Sequence, residues 1–244
     1  HETVPVKSIE VTNHLSSAIS SIPITLSDPT NFRVLPKSIT SIPANGTGTF
    51  QGAPAPPLPI GGYSTTVTVG GGSSGIIAQS FTVEFSVREV IMLTAKPLTY
   101  NGEWQTGVTA SEADVIIEGN SRRDAGDYTA TAYRKSGYYM WPDYTTDSTK
   151  DISWSIGKRD PHPDDIVVTP PTNAVYDGNR KEATAELDSK YTGAGAITIS
   201  KYVNPDTGEE VQPINAGTYT VYVKVAGGTN FNAATSLNRT GLWN

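Results

Sequence analysis

Hydrophobic and polar positions alternate with period two along most of this chain. Phe81, Val83, Phe85 and Val87 share one face of a run whose other face carries Thr82, Glu84 and Ser86. The alternation recurs at Tyr63, Thr65, Val67 and Val69, and at Tyr219, Val221, Val223 and Val225 with Thr220, Tyr222 and Lys224 opposite. Successive side chains of an extended backbone point to opposite faces, so each run predicts a half-buried antiparallel strand. Asn45-Gly46, Gly61-Gly62, Gly70-Gly71-Gly72, Asn101-Gly102, Asp177-Gly178 and Gly227-Gly228 punctuate the runs. Such pairs supply the positive φ of tight hairpin turns. Short strands at this spacing predict antiparallel sandwiches, with helix scarce.

An internal repeat sets the expected number of cores. Tyr100-Asn101-Gly102 precedes Asp124-Ala125-Gly126-Asp127-Tyr128-Thr129 and then Trp154; in the same order, Tyr176-Asp177-Gly178 precedes Asn215-Ala216-Gly217-Thr218-Tyr219-Thr220 and Trp243. A looser copy is Gly61-Gly62-Tyr63-Ser64. Gly-x-Tyr-Ser/Thr thus opens an alternating strand once in each third of the chain, which predicts three modules: residues 1–90, 91–158 and 159–244. The glycine permits a tight entry to the strand, and the tyrosine buries its ring while returning its hydroxyl to nearby backbone, the tyrosine corner of immunoglobulin-like sandwiches. Patterning lapses near residues 88–92 and over the charged, Pro-containing stretch 157–165, where the boundaries are placed. Two turns in the third module, at residues 191–195 and 204–210, predict an additional hairpin there. The fold class expected is therefore all-β: tandem immunoglobulin-like antiparallel β-sandwiches arranged as an elongated rod, a monomer whose modules touch mainly through their linkers.

Composition narrows the partners. The 244 residues include 23 Gly, 17 Pro, 2 Met and no Cys, with a formal net charge of -6. Without cysteine there is neither a disulfide frame nor a thiolate metal site, so each module relies on its apolar core. Scattered charges and a negative balance offer no basic stripe for phosphates, which argues against nucleic-acid and anionic-membrane binding. No apolar run approaches the roughly 20 residues that span a bilayer, so no membrane insertion is expected. A chain that begins at His1 reads as a processed or trimmed piece.

On the Tyr-Asn/Asp-Gly, Ala-Gly-x-Tyr-Thr and late Trp motifs, the second and third modules resemble the Ig-like repeats called MBG or YDG domains, found in tandem in large bacterial surface proteins. Pro36 through Phe50, then Gly61-Gly62-Tyr63 and residues 80–85, resembles another β-sandwich spacer of such proteins. The resemblance implies an extracellular or cell-surface location and a structural or adhesive role, as stalk or spacer, with a host or cell-surface protein or a glycan as partner. A carbohydrate- or protein-binding module is the alternative, as are accessory domains of a larger extracellular glycoside hydrolase.

Candidate chemistry is sparse, and neither enzymatic activity nor a cofactor is expected. His1, His14 and His162 lie in no motif spaced for metal binding or for activating a nucleophile. Glu103, Glu112, Asp114 and Glu118 cluster in sequence, but nothing fixes two of them across a cleft, as glycoside hydrolysis requires. Asp124, Asp127, Asp143 and Asp147 supply oxygens for calcium without forming a recognisable calcium loop, so no metal is assigned. Lys224, the best-placed strand lysine for an intramolecular isopeptide bond, falls on the solvent face by alternation. The aromatic-dense segment 138–144 stands out, because the repeat has milder residues there. Tyr138, Tyr139, Trp141 and Tyr144 are the candidate ligand-binding residues, as a stacking surface for sugars or an anchor for a protein. The opposing expectation is that Tyr139 and Trp141 turn into a sandwich core.

Overall fold

The computed structural model describes residues 6–72, 75–112, 115–172 and 174–243, with side chains through Arg239. Strands dominate, and the chain is built from tandem immunoglobulin-like β-sandwiches. It divides into two compact units: His1–Val90 with Ser136–Thr146, and Ile91–Lys135 with Asp147–Asn244.

In the first unit, Ser38–Ile42, Ile19–Leu26, Gly61–Val69 and Gln79–Val87 form a four-stranded sheet in that order. Lys7–Thr12, Thr47–Pro54 and Phe32–Leu35 form a three-stranded sheet. The alternation places Ile22, Ile24, Val34, Ile39, Ile42, Phe50, Val67 and Val69 in one apolar cluster. Each such side chain contributes about 1.5–3 kcal/mol by leaving water. The segment Ser136–Thr146 belongs to this unit through Tyr139–Met140, which runs parallel to Glu89–Val90.

The second unit takes in most of residues 91–158 and all of 159–244, called the second and third modules below after the division expected from the sequence. Leu98–Thr99, Thr149–Gly157, Gly126–Arg134 and Val115–Glu118 make one four-stranded sheet; Glu210–Val211, Ile197–Val203, Gly217–Val225 and Ala234–Trp243 make the other. The hairpin anticipated at residues 204–210 is present: Tyr202 pairs with Val211 and Val203 with Glu210, and Gly208 turns the chain at φ 74°.

The three Gly-x-Tyr copies behave alike. Gly61–Val69, Gly126–Arg134 and Gly217–Val225 are each nine residues long and begin at the motif glycine, with φ of 159°, 159° and 158°. In each, the tyrosine hydroxyl donates to the carbonyl four residues earlier: Tyr63 to Pro59 and Tyr128 to Asp124, both at 2.7 Å, and Tyr219 to Asn215. Trp154 packs 5.0 Å from Tyr128 in the core of the second module, its indole N–H donating to Gly119. Gly107 makes room for it, since a Cβ there would lie 1.8 Å from Trp154.

The sequence suggested modules that touch mainly through their linkers, but the second and third share a buried apolar cluster. Tyr100, Val108, Ala130, Trp154 and Ile156 of one share a buried cluster with Phe231 of the other, and Tyr191 and Leu187 pack against it. Residues 157–165 are themselves folded: Arg159 makes a two-pronged ion pair with buried Asp165, at 3.0 and 2.9 Å. That hydrogen bonding raises the affinity of the Arg159 guanidinium for its proton. Asp165 also accepts from the His162 backbone, which caps the short 3-10 turn Pro163–Asp165.

Candidate binding surfaces

The four aromatics singled out at residues 138–144 do not form a stacking platform. Trp141 is fully buried in the first unit, so it offers no face to a sugar ring, and Tyr139 is half-buried. Tyr138 is partly exposed, and its hydroxyl occupies the space that a side chain at Gly62 would need. Tyr144 alone stands out, 77% exposed on a left-handed backbone at φ 61°. Its N–H donates to the Trp141 carbonyl, and Asp143 closes the turn by accepting from Thr145. Burial of Trp141 follows from the strand pair with Glu89–Val90, a contact across some fifty positions that residue spacing does not reveal.

An aromatic that pattern reading passed over is Trp104, 71% exposed in the second module just beyond the Asn101-Gly102 turn. Its signal was available, since a large aromatic within a turn and outside the alternation has no core to enter. Most monomeric surfaces bury such a ring, and an exposed one is a ready anchor for a ligand.

A third surface is a cleft of about 430 Å³ between the two sheets of the first unit. Leu26, Phe32, Val67, Phe81, Val83 and Phe85 line it, with Lys7 at its rim. Phe85 stacks on Tyr63 at 5.1 Å and meets Phe32 edge-on at 4.9 Å. The strand carrying these residues is covered less well than its counterpart in the second module: Phe81 is 38% exposed, whereas Trp154 and Ile156 are buried.

The polar centre of the second unit is Asn230, 1% exposed. Its amide donates to Asp124 at 2.9 Å and to the Thr192 carbonyl at 3.1 Å, and its carbonyl accepts from the Ala125 N–H at 2.7 Å. Tyr100 reaches across the same junction, its hydroxyl accepting from the Thr192 N–H at 2.9 Å. Arg123 adds a bond to the Lys190 carbonyl. All these groups satisfy one another, which identifies a structural latch rather than a reactive centre.

Among the acids considered for hydrolysis, Glu103 and Glu118 are exposed and Glu112 is half-buried, while Asp114 lies outside the described residues. Glu118 does act on Tyr133, whose hydroxyl its negative charge holds above the ordinary phenol value. Of the calcium candidates, Asp124 is committed to Asn230 and Asp143 to Thr145. Among the described residues no three His, Asp or Glu side chains converge as metal ligands. Lys224 is exposed, as its strand position required. No helix of the described residues is long and apolar enough to cross a membrane.

No protein-family model matches the chain, and no curated protein matches it in sequence. A comparison with solved structures matches the chain to protocadherins. These include a protocadherin gammaB7 EC3-6 cis-dimer at 11% identity, covering 97% of this chain and 74% of that one, with a TM-score of 0.26. Extracellular cadherin domains 3-6 of protocadherin gamma B2 match at 10% identity over 99% and 77%, with a TM-score of 0.26. The protocadherin gammaB4 extracellular domain matches at 13% identity over 94% and 47%, with a TM-score of 0.22. At such TM-scores the likeness bears on no residue or activity of this chain.

Proposed function

We propose that this chain is a non-catalytic structural or adhesive segment of a bacterial secreted or cell-surface protein, a spacer that sets the reach and orientation of what it carries. The observation behind this reading is the latch between the second and third modules. A spacer must resist bending where one module joins the next, and linker-only contacts leave that joint free. Here Tyr100, Tyr191 and Phe231 share a core, and the buried Asn230 ties two groups of the second module, the Asp124 carboxylate and the Ala125 N–H, across the joint. The Tyr-Asn/Asp-Gly and Ala-Gly-x-Tyr-Thr motifs favour the same reading through their resemblance to bacterial surface repeats.

Stretching single molecules of the chain tests it. The two modules of the second unit are expected to yield together, in one step that releases both lengths. Two separate steps at similar force would remove the support for a stiff spacer.

A binding role in its own right is favoured by one observation, the exposure of Trp104 and Tyr144. Glycan-array binding lost in Trp104→Ala or Tyr144→Ala would establish that role, and no binding to any glycan would dismiss its sugar version.

A further inference from the structure

The strand Gln79–Val87 lies at the end of its sheet, and among the described residues no strand pairs with its outer edge. Unpaired edges invite another strand, and monomeric proteins blunt them with charge, proline, bulges or a covering segment. The other two modules do so. Thr149–Gly157 has Leu98–Thr99 running parallel along its far end, at Ile156 and Gly157. Ala234–Trp243 carries a register shift, and its Arg239 is held by Asp164 at 2.9 Å. Among the described residues Gln79–Val87 has neither a flanking strand nor a register shift. It pairs with Gly61–Val69 over nine positions without a shift, contains no proline, and carries a single charge, Glu84.

The edge is also self-complementary. Read outward from Val83, the residues are Thr82 and Glu84, then Phe81 and Phe85, then Ser80 and Ser86. An antiparallel pairing of two such strands with Val83 opposite Val83 sets each phenylalanine opposite a phenylalanine and each serine opposite a serine. Glu84 of each copy then faces Thr82 of the other, so no like charges oppose. Opposed residues of an antiparallel pair point to the same face. Phe81, Val83 and Phe85 of both copies would therefore lie together on the inner side, joining the two 430 Å³ clefts and covering the ring of Phe81 that each copy leaves exposed.

We infer that the outer edge of Gln79–Val87 is a contact surface for a second copy of this chain, the strands pairing antiparallel about a two-fold axis at Val83. This replaces the monomer expected from the sequence. It does not depend on the spacer reading, which a monomeric chain would leave intact.

Sedimentation of the full chain up to roughly 100 µM, the range of small and transient interfaces, tests the inference together with two substitutions. Thr82 is exposed on the outer face, so changes there leave the core untouched. Thr82→Glu sets a carboxylate against Glu84 of the second copy twice over, and Thr82→Lys sets an ammonium there. Cross-strand charge pairs are strong enough to shift the dimer constant on the order of tenfold, weaker for Glu and tighter for Lys. A chain that stays monomeric throughout this range overturns the inference. So does a dimer that both substitutions leave alone or shift in the same direction.

Discussion

Replacing Asn230 by alanine isolates the latch of the second unit. The side chain is 1% exposed and makes three hydrogen bonds, to the Asp124 carboxylate, the Thr192 carbonyl and the Ala125 N–H. A neutral bond contributes about 0.5–1.5 kcal/mol and one to a charged group about 1.5–3 kcal/mol; Asp124 is exposed and regains water when its partner is removed, so the sum of the three bonds sets the scale. The expected loss is about 3–5 kcal/mol. For a unit of this size each kcal/mol moves the melting temperature by roughly 2–4 °C, so the second unit should melt roughly 10 °C earlier by calorimetry. Asn232→Ala is the control. That residue is exposed and bonds Asp160 at 2.6 Å, a surface contact whose removal should cost about 0.5 kcal/mol or less. Equal losses for the two variants, or a loss below about 1 kcal/mol for Asn230→Ala, would refute the idea that a buried polar latch joins the modules. Under load, Asn230→Ala should also split the single unfolding step into two.

Gly107→Ala should destabilise the second unit by about 3 kcal/mol in urea unfolding, because the added methyl meets Trp154 at 1.8 Å and the ring or the backbone must move. Burial raises the Tyr202 hydroxyl above its ordinary value near 10.0. The fold thus prefers the neutral phenol; the associated stability is present below pH 10 and is lost as pH rises through the folded value. Tyr202→Phe should flatten the alkaline limb of the stability profile, at the cost of the bond its hydroxyl accepts from Ala183. An unchanged limb would show that another group carries the titration.

The legible part of this protein is the part written in short range. Period-two alternation sorts side chains between two faces of a strand whatever lies beyond them, so the strands at residues 61–69, 79–87 and 217–225 follow from the residues alone. The corner tyrosines were equally accessible, because glycine, tyrosine and an acceptor carbonyl all sit within four positions. Trp141 was not. Its segment pairs with Glu89–Val90, and no local spacing encodes a partner so far along the chain.

The clearest division lies between the two Tyr-Asn/Asp-Gly motifs. Both form the same turn: Asn101 accepts from Glu103 and Asp177 from Asn179, each at 2.9 Å, with Gly102 and Gly178 at φ 82° and 79°. Asp177 also binds Lys181, which holds its carboxyl below the usual range. Yet Tyr100 is 1% exposed and Tyr176 63%. The turn is a matter of four residues and their backbone geometry, and so belongs to the sequence. Burial of the tyrosine needs Tyr191 and Phe231, more than ninety positions away, and apolar attraction has no direction that would announce them beforehand. Only the tertiary structure could decide that one copy of the motif joins two modules while the other faces water.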